Sequence, residues 1–155
     1  MSKSIIESDF EYLLRILLLL NEVRDGYLDK NRICLIDFMA IYAKDFNLSE
    51  KNINGYSPYR FGEYFAKKRN IPSVIKRLIG FQYVVAVKTN NGGKYGITDK
   101  GGELCKKIIN DYANDYIAIV KLILTAKRLD DKDVSLIETD IKNKMYDMLG
   151  ERMHE

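Results

Sequence analysis

The stretch FQYVVAVKTNNGGKYGITDKGGELCKKI, residues 81–108, changes its hydrophobic period twice. Residues 83–88 are β-branched and aromatic, and the Asn-Asn-Gly-Gly run at 90–93 supplies the positive φ angles of a hairpin turn. Residues 94–97 return as a second strand, and Thr98 caps a further helix to about residue 110. Tyr95 and Ile97 alternate with Lys94 and Gly96, the pattern of a half-buried strand, which makes both structural.

What precedes the hairpin gives it a context. Ser57 is a natural N-cap and Pro58 suits a first helical position, so residues 57–69 read as a helix with Phe61, Tyr64 and Phe65 inward. After Asn70-Ile71-Pro72 a second helix carries Val74, Ile75, Leu78 and Ile79 on its apolar side and stops at Gly80. Two helices joined by so tight a turn predict a helix-turn-helix, and the hairpin behind it makes this a winged helix-turn-helix.

The other segments are helical too. In residues 5–23, Leu13, Ile16, Leu17 and Leu20 repeat at helical spacing until Gly26. Residues 31–44 place Ile33, Ile36, Ala40 and Ile41 on one side, and a polar loop follows at 47–55. Residues 111–128 contain YIAIVKLIL, apolar on almost every side and therefore expected to be buried on two faces. A narrow stripe of Val134, Ile137, Ile141, Met145 and Met148 marks a last helix at 134–149. The expectation is a single domain over 155 residues, mainly α with a small β-hairpin. A winged-helix core at about 31–110 is flanked by additional N- and C-terminal helices.

Composition is that of an ordinary globular chain, 46% hydrophobic and 30% charged. Cys34 and Cys105 lie in apolar-periodic segments and form no CxxC, so buried free thiols are expected. The run LLRILLLL at 13–20 contains Arg15, follows three acidic residues and is too short to span a membrane. The expected setting is cytoplasmic.

Enzyme chemistry finds no constellation here. The one histidine, His154, is next to the end of the chain. There is no HExxH, no Cys/His metal spacing and no GxSxG. NNGGK lacks the spacing of a phosphate loop and lies between strands. Asp130, Asp131 and Asp133 read as an inter-helix loop with an N-cap, without a cation ligand set. The expectation is no catalytic residue, no metal, no cofactor and no small-molecule substrate.

Charge is uneven. Residues 60–107 carry eleven basic side chains against Glu63, Asp99 and Glu103, a local balance of +8, while the remainder is −5. A basic middle between acidic flanks is a footprint for an anionic partner. The residues expected to meet DNA are Lys67, Lys68, Arg69, Lys76, Arg77, Lys88 and Lys94. Only Ser73, Lys76 and Arg77 in PSVIKRLIG could read bases, so contacts should be to phosphates.

Several phrases occur together: LDKNRICLIDFMAIYAKDF at 28–46, Pro58-x-Arg60-x-Gly62-Glu63, IPSVIKRLIGFQYV, GGKYGITDKG and DYANDYIAIVKLI. Their combination resembles the middle component of bacterial ABC three-component systems, including Lamassu-type anti-phage systems built around an SMC-like ATPase. The resemblance covers about residues 28–123. It implies a bacterial, non-catalytic subunit set between the ATPase and an effector, often a nuclease, in phage or plasmid defence. Pro58, Arg60, Gly62 and Glu63 are the motif residues. Ile119 and Ile123, on the apolar helix, are expected partner contacts, and Arg60 and Glu63 are expected to pair at i, i+3. The residues also allow a free-standing dimeric winged-helix transcription regulator, dimerising through helix 111–128.

Overall fold

A computed structural model describes residues 8–23, 26–90 and 92–153. Six α-helices and one hairpin run in the order α1 (Asp9–Asn21), α2 (Lys30–Ile41), α3 (Arg60–Gly80), β1 (Val84–Thr89), β2 (Gly92–Ile97), α4 (Asp99–Lys107), α5 (Asp111–Ala126) and α6 (Asp131–Met153). A 3₁₀ turn, Ala43–Phe46, follows α2. Helix ends are closed by side chains where the sequence offers them. Ser8, Asp29, Thr98 and Asn110 each accept a backbone N–H three residues on. The predicted start at residues 5–7 lies outside the described residues, as does His154.

The core is built around α2. Every residue from Ile33 to Ile41 is buried, and α1, α3, α5 and α6 all pack on it. Phe38 anchors an aromatic cluster, with ring centroids 5.1 Å from Tyr42, 5.3 Å from Tyr64, 6.0 Å from Phe46 and 6.3 Å from Phe61. A helix apolar all round must be covered all round, and α2 is.

One expectation fails plainly. The turn at residues 70–72 does not exist, because α3 runs unbroken through Pro72. A proline inside a helix costs about 3 kcal/mol, since its ring removes an N–H and crowds the preceding turn. The stripe Phe61, Tyr64, Ile71, Val74, Ile75 and Leu78 is continuous and buried on both sides of the proline. At roughly 1.5–3 kcal/mol for each fully buried large apolar side chain, that stripe outweighs the break. Pro72 itself is exposed. The helix starts at Arg60 rather than at Pro58, with Ser57 forming the turn that leads in. It ends at Gly80, and the reversal into β1 is made by Gln82, at φ 66°.

β1 and β2 pair antiparallel with Val84 opposite Ile97 and Thr89 opposite Gly92. A third short pairing joins them: Leu28 and Tyr95 exchange backbone hydrogen bonds of 3.0 and 2.8 Å. The chain between α1 and α2 is thereby stitched to the hairpin. Ile97 is only half-buried, whereas Gly96 is buried beneath the Tyr27 ring. Residues 95 and 97 are structural in a shallower sense than strand alternation suggested.

Two further boundaries differ. α4 stops at Lys107, and α5 buries a single face, Ala113, Tyr116, Val120 and Ile123, leaving Ala118 and Leu122 exposed. α6 is longer than its apolar stripe and is tied down at its start. The Arg32 guanidinium donates to Asp29, to Asp131 and, at 2.8 Å, to the Leu129 carbonyl.

Candidate functional site

The seven cations expected to meet DNA fall into two groups. On α3, Arg69, Ser73, Lys76 and Gly80 follow i, i+4, i+7, i+11 spacing, and with Arg77 they make one exposed face. Lys88 is exposed on β1, which begins just after the Gln82 turn. Lys67 and Lys68 lie on the other side of α3. The Lys67 ammonium lies 5.2 Å from the centre of the Tyr12 ring. Lys68 bonds Glu138 of α6 at 2.6 Å, and Tyr64 donates to the same carboxylate. Lys94 is half-buried at a polar groove of about 720 Å³ whose walls also carry Asp29, Arg32 and Lys142. Lys67, Lys68 and Lys94 therefore belong to the packing of α1, α2 and α6, not to the exposed cationic face.

The motif around Arg60 is also rearranged. Arg60 does not pair with Glu63. Its guanidinium grips Asp45 of the 3₁₀ turn through two hydrogen bonds of 2.7 and 2.9 Å, and donates a third to the Ser57 carbonyl at 3.0 Å. Those bonds to Asp45 raise the Arg60 pKa, keeping it charged. The rings of Tyr56 and Phe61 lie 5.1 and 4.7 Å from it. Gly62 faces Met145 of α6. Glu63 turns elsewhere, accepting the Tyr42 hydroxyl at 2.8 Å.

Glu63 stands at the wall of a cleft of about 740 Å³, within the size range of ligand sites. α1, the start of α3, residues 53–55 and the segment leading into α5 enclose it. Its walls are mainly apolar, from Leu14, Leu18, Ile53 and Ile108, with Glu11, Glu63, Asn54 and Tyr112 as polar points.

Behind the cleft lies a charge pair that sequence reasoning missed. Arg15 donates to Asp37 through Nε at 2.8 Å and Nη2 at 2.9 Å, and Tyr116 donates its hydroxyl to Asp37 at 2.7 Å. α1, α2 and α5 meet at these three side chains. Burial pushes the Tyr116 hydroxyl well above its usual range, so it stays a donor. The signal was present as a lone Arg in LLRILLLL and a lone Asp in ICLIDFMAI, but their pairing across 22 residues was not legible.

Of the expected partner contacts, Ile119 is half-buried and Ile123 is fully buried. Ile123 is core. Among the described residues no cluster of metal-ligating side chains occurs, and no helix is long and apolar enough to cross a membrane. Cys34 and Cys105 are buried and unbridged.

No curated protein and no solved structure matches the chain. Residues 5–151 match the family described as ABC-three component (ABC-3C) system Middle Component 2. A component of a three-component system has partner subunits. The chain belongs to the ABC-3C Middle Component 2 family.

Proposed function

We propose that the chain is a non-catalytic accessory subunit of an anti-phage or anti-plasmid defence complex of the Lamassu type. It bridges an SMC-like ATPase and a nuclease-type effector, and contacts DNA held by the ATPase. The observation that carries the DNA contact is the exposed face Arg69, Ser73, Lys76 and Arg77 on α3, followed by a hairpin bearing Lys88. Three charges and one hydroxyl on a helix face suit phosphate oxygens and carry little base-reading capacity.

The winged-helix reading is kept in altered form. The order α1, the Leu28 bridge, α2, α3, β1, β2 supports this reading. The connection between its two helices is the long segment 42–59 rather than a tight turn at residue 70. The helix presented to the duplex is the C-terminal half of α3, because its N-terminal half is covered by α2 and α6.

The test is binding to duplexes of unrelated sequence across a salt series. If Arg69, Lys76, Arg77 and Lys88 all meet phosphates, the slope of log K against log salt is about −3.6. Lys76→Glu with Arg77→Glu should weaken binding alike on every duplex. Strong preference for one operator, or binding unchanged by the double reversal, would count against this reading. Co-purification with an SMC-like ATPase tests the assembly.

A further inference from the structure

We infer that Phe81, where α3 ends, is a platform on which an unpaired nucleobase stacks, so that the cationic face of α3 favours nucleic acid with unpaired bases over intact duplex. The phosphate contacts beside it rest on the DNA-contact reading of α3; the stacking is tested apart from them.

A fixed backbone holds the ring out. Gln82 takes the left-handed conformation that ends α3, at φ 66°. Its N–H donates to the Ile79 carbonyl at 2.9 Å, and the Tyr83 N–H donates to the Leu78 carbonyl at 3.0 Å, the paired bonds of a Schellman helix end. The carbonyls of these three residues are also engaged. Phe81 accepts from the Lys100 ammonium at 3.2 Å, Gln82 from the Thr98 hydroxyl at 2.7 Å and Tyr83 from the Thr98 N–H at 3.0 Å. Yet the Phe81 side chain is 52% exposed. A segment tied at each of its residues thus keeps a large apolar ring in water instead of burying it.

The surroundings suit a base. The Phe81 N–H still bonds the Arg77 carbonyl at 3.0 Å, so the ring follows Arg77 by one turn, about 6 Å along the axis, on the same side of the helix. The Tyr83 ring centre lies 6.0 Å from that of Phe81, with the planes 37° apart, and the Lys100 ammonium lies 5.3 Å from the centre of the Tyr83 ring. Cations that follow a backbone and a ring that takes a base are the two elements of single-strand binding. In a duplex each base is paired and covered by its neighbours, so only an unpaired base has a face free for Phe81. Stacking is blind to base identity, in keeping with a helix face poor in base-reading side chains.

The chain contains no tryptophan, so Phe81→Trp in the full-length protein places a lone fluorescent reporter at the platform. The probes are a thymidine oligonucleotide, an abasic strand of the same length and a duplex of the same length. Saturable quenching of the tryptophan is expected with the thymidine strand, and little with the other two. In the native background, Phe81→Ala should weaken the thymidine strand about tenfold and the abasic strand far less. Phe81→Leu keeps an apolar side chain without a π face and should behave as Phe81→Ala does; together with the tryptophan reporter it carries the test should Phe81→Ala fail to fold. Equal affinity for the thymidine and abasic strands, quenching as strong with the duplex, or binding indifferent to Phe81→Leu would overturn the stacking, and salt-sensitive binding of all three probes would then leave the phosphate contacts standing. Quenching by the thymidine strand that survives Lys76→Glu with Arg77→Glu would support the stacking and count against the phosphate contacts. No binding of any probe would overturn both.

Discussion

Arg15 and Asp37 are joined by two hydrogen bonds, 2.8 and 2.9 Å, in a place where each side chain is 1% exposed. Removing one partner takes a buried counter-charge from the other. Asp37→Ala is expected to cost about 3–5 kcal/mol in urea unfolding, as breaking a buried pair does. The triple change Arg15→Met, Asp37→Leu, Tyr116→Phe removes every member together and should recover most of that loss. A triple variant no more stable than Asp37→Ala alone would mean that volume rather than charge decides the site.

Two glycines near the hairpin make a graded pair. A Cβ on Gly101 would sit 2.3 Å from the Tyr83 carbonyl oxygen, which is backbone and held by the Thr98 N–H at 3.0 Å. Gly101→Ala should cost about 1–3 kcal/mol or more. A Cβ on Gly96 would meet the Tyr27 ring at 2.6 Å, but that ring is 48% exposed and can swing aside. Gly96→Ala should therefore lower the melting temperature less than Gly101→Ala, and Tyr27→Ala should relieve it. The opposite order would refute the placement of Tyr27.

The division of the cations is separable by stability. Lys68 bonds Glu138 between α3 and α6, so Lys68→Ala should destabilise by up to about 1 kcal/mol, a part-exposed ion pair being worth little more. Lys76→Glu with Arg77→Glu touches only the exposed face and should leave the unfolding free energy within about 0.5 kcal/mol. Parallel melting curves of both variants check this.

Alkaline pH reads the thiols. Burial pushes the Cys34 thiol up to about 12 and the Cys105 thiol up to about 11, from 9.0. Above pH 9 the unfolded chain loses these protons while the folded chain keeps them. The stabilisation is complete below pH 9 and is lost as pH rises toward 11 and 12. The slope contributed by each thiol is at most about 1.4 kcal/mol per pH unit. Cys34→Ala should flatten the stability profile between pH 9 and 11, even though its cavity lowers the whole curve. An unchanged slope would show that the thiol is not desolvated.

Local chemistry was legible in the sequence where one or two residues decide it. Thr98 caps α4 and LLRILLLL packs in the core, each for the reason its composition suggests, whereas of the run expected to turn the hairpin Gly92 and Gly93 belong to β2, opposite Thr89 and Lys88, and residue 91 lies outside the described residues. Legibility ended where distant residues compete with a local rule. Pro72 reads as a boundary until Ile71 and Leu78 are seen to share one buried stripe with Tyr64. Arg60 and Glu63 are neighbours on a helix, yet Asp45 and Tyr42 lie closer in space. The candidate site suffered most, because Lys67 and Arg69 sit two residues apart on opposite sides of α3 and composition assigns them the same role.

The unbroken course of α3 has a mechanical consequence. Twenty-one residues at 1.5 Å each make a strut about 31 Å long. Glu63 lies in its first turn and Arg77 in its last, about 21 Å apart along the axis at the same rise. A hinge at residue 70 would have let the two ends pivot independently. Without one, Glu63 at the wall of the cleft and the exposed Lys76 and Arg77 are carried by one continuous helix.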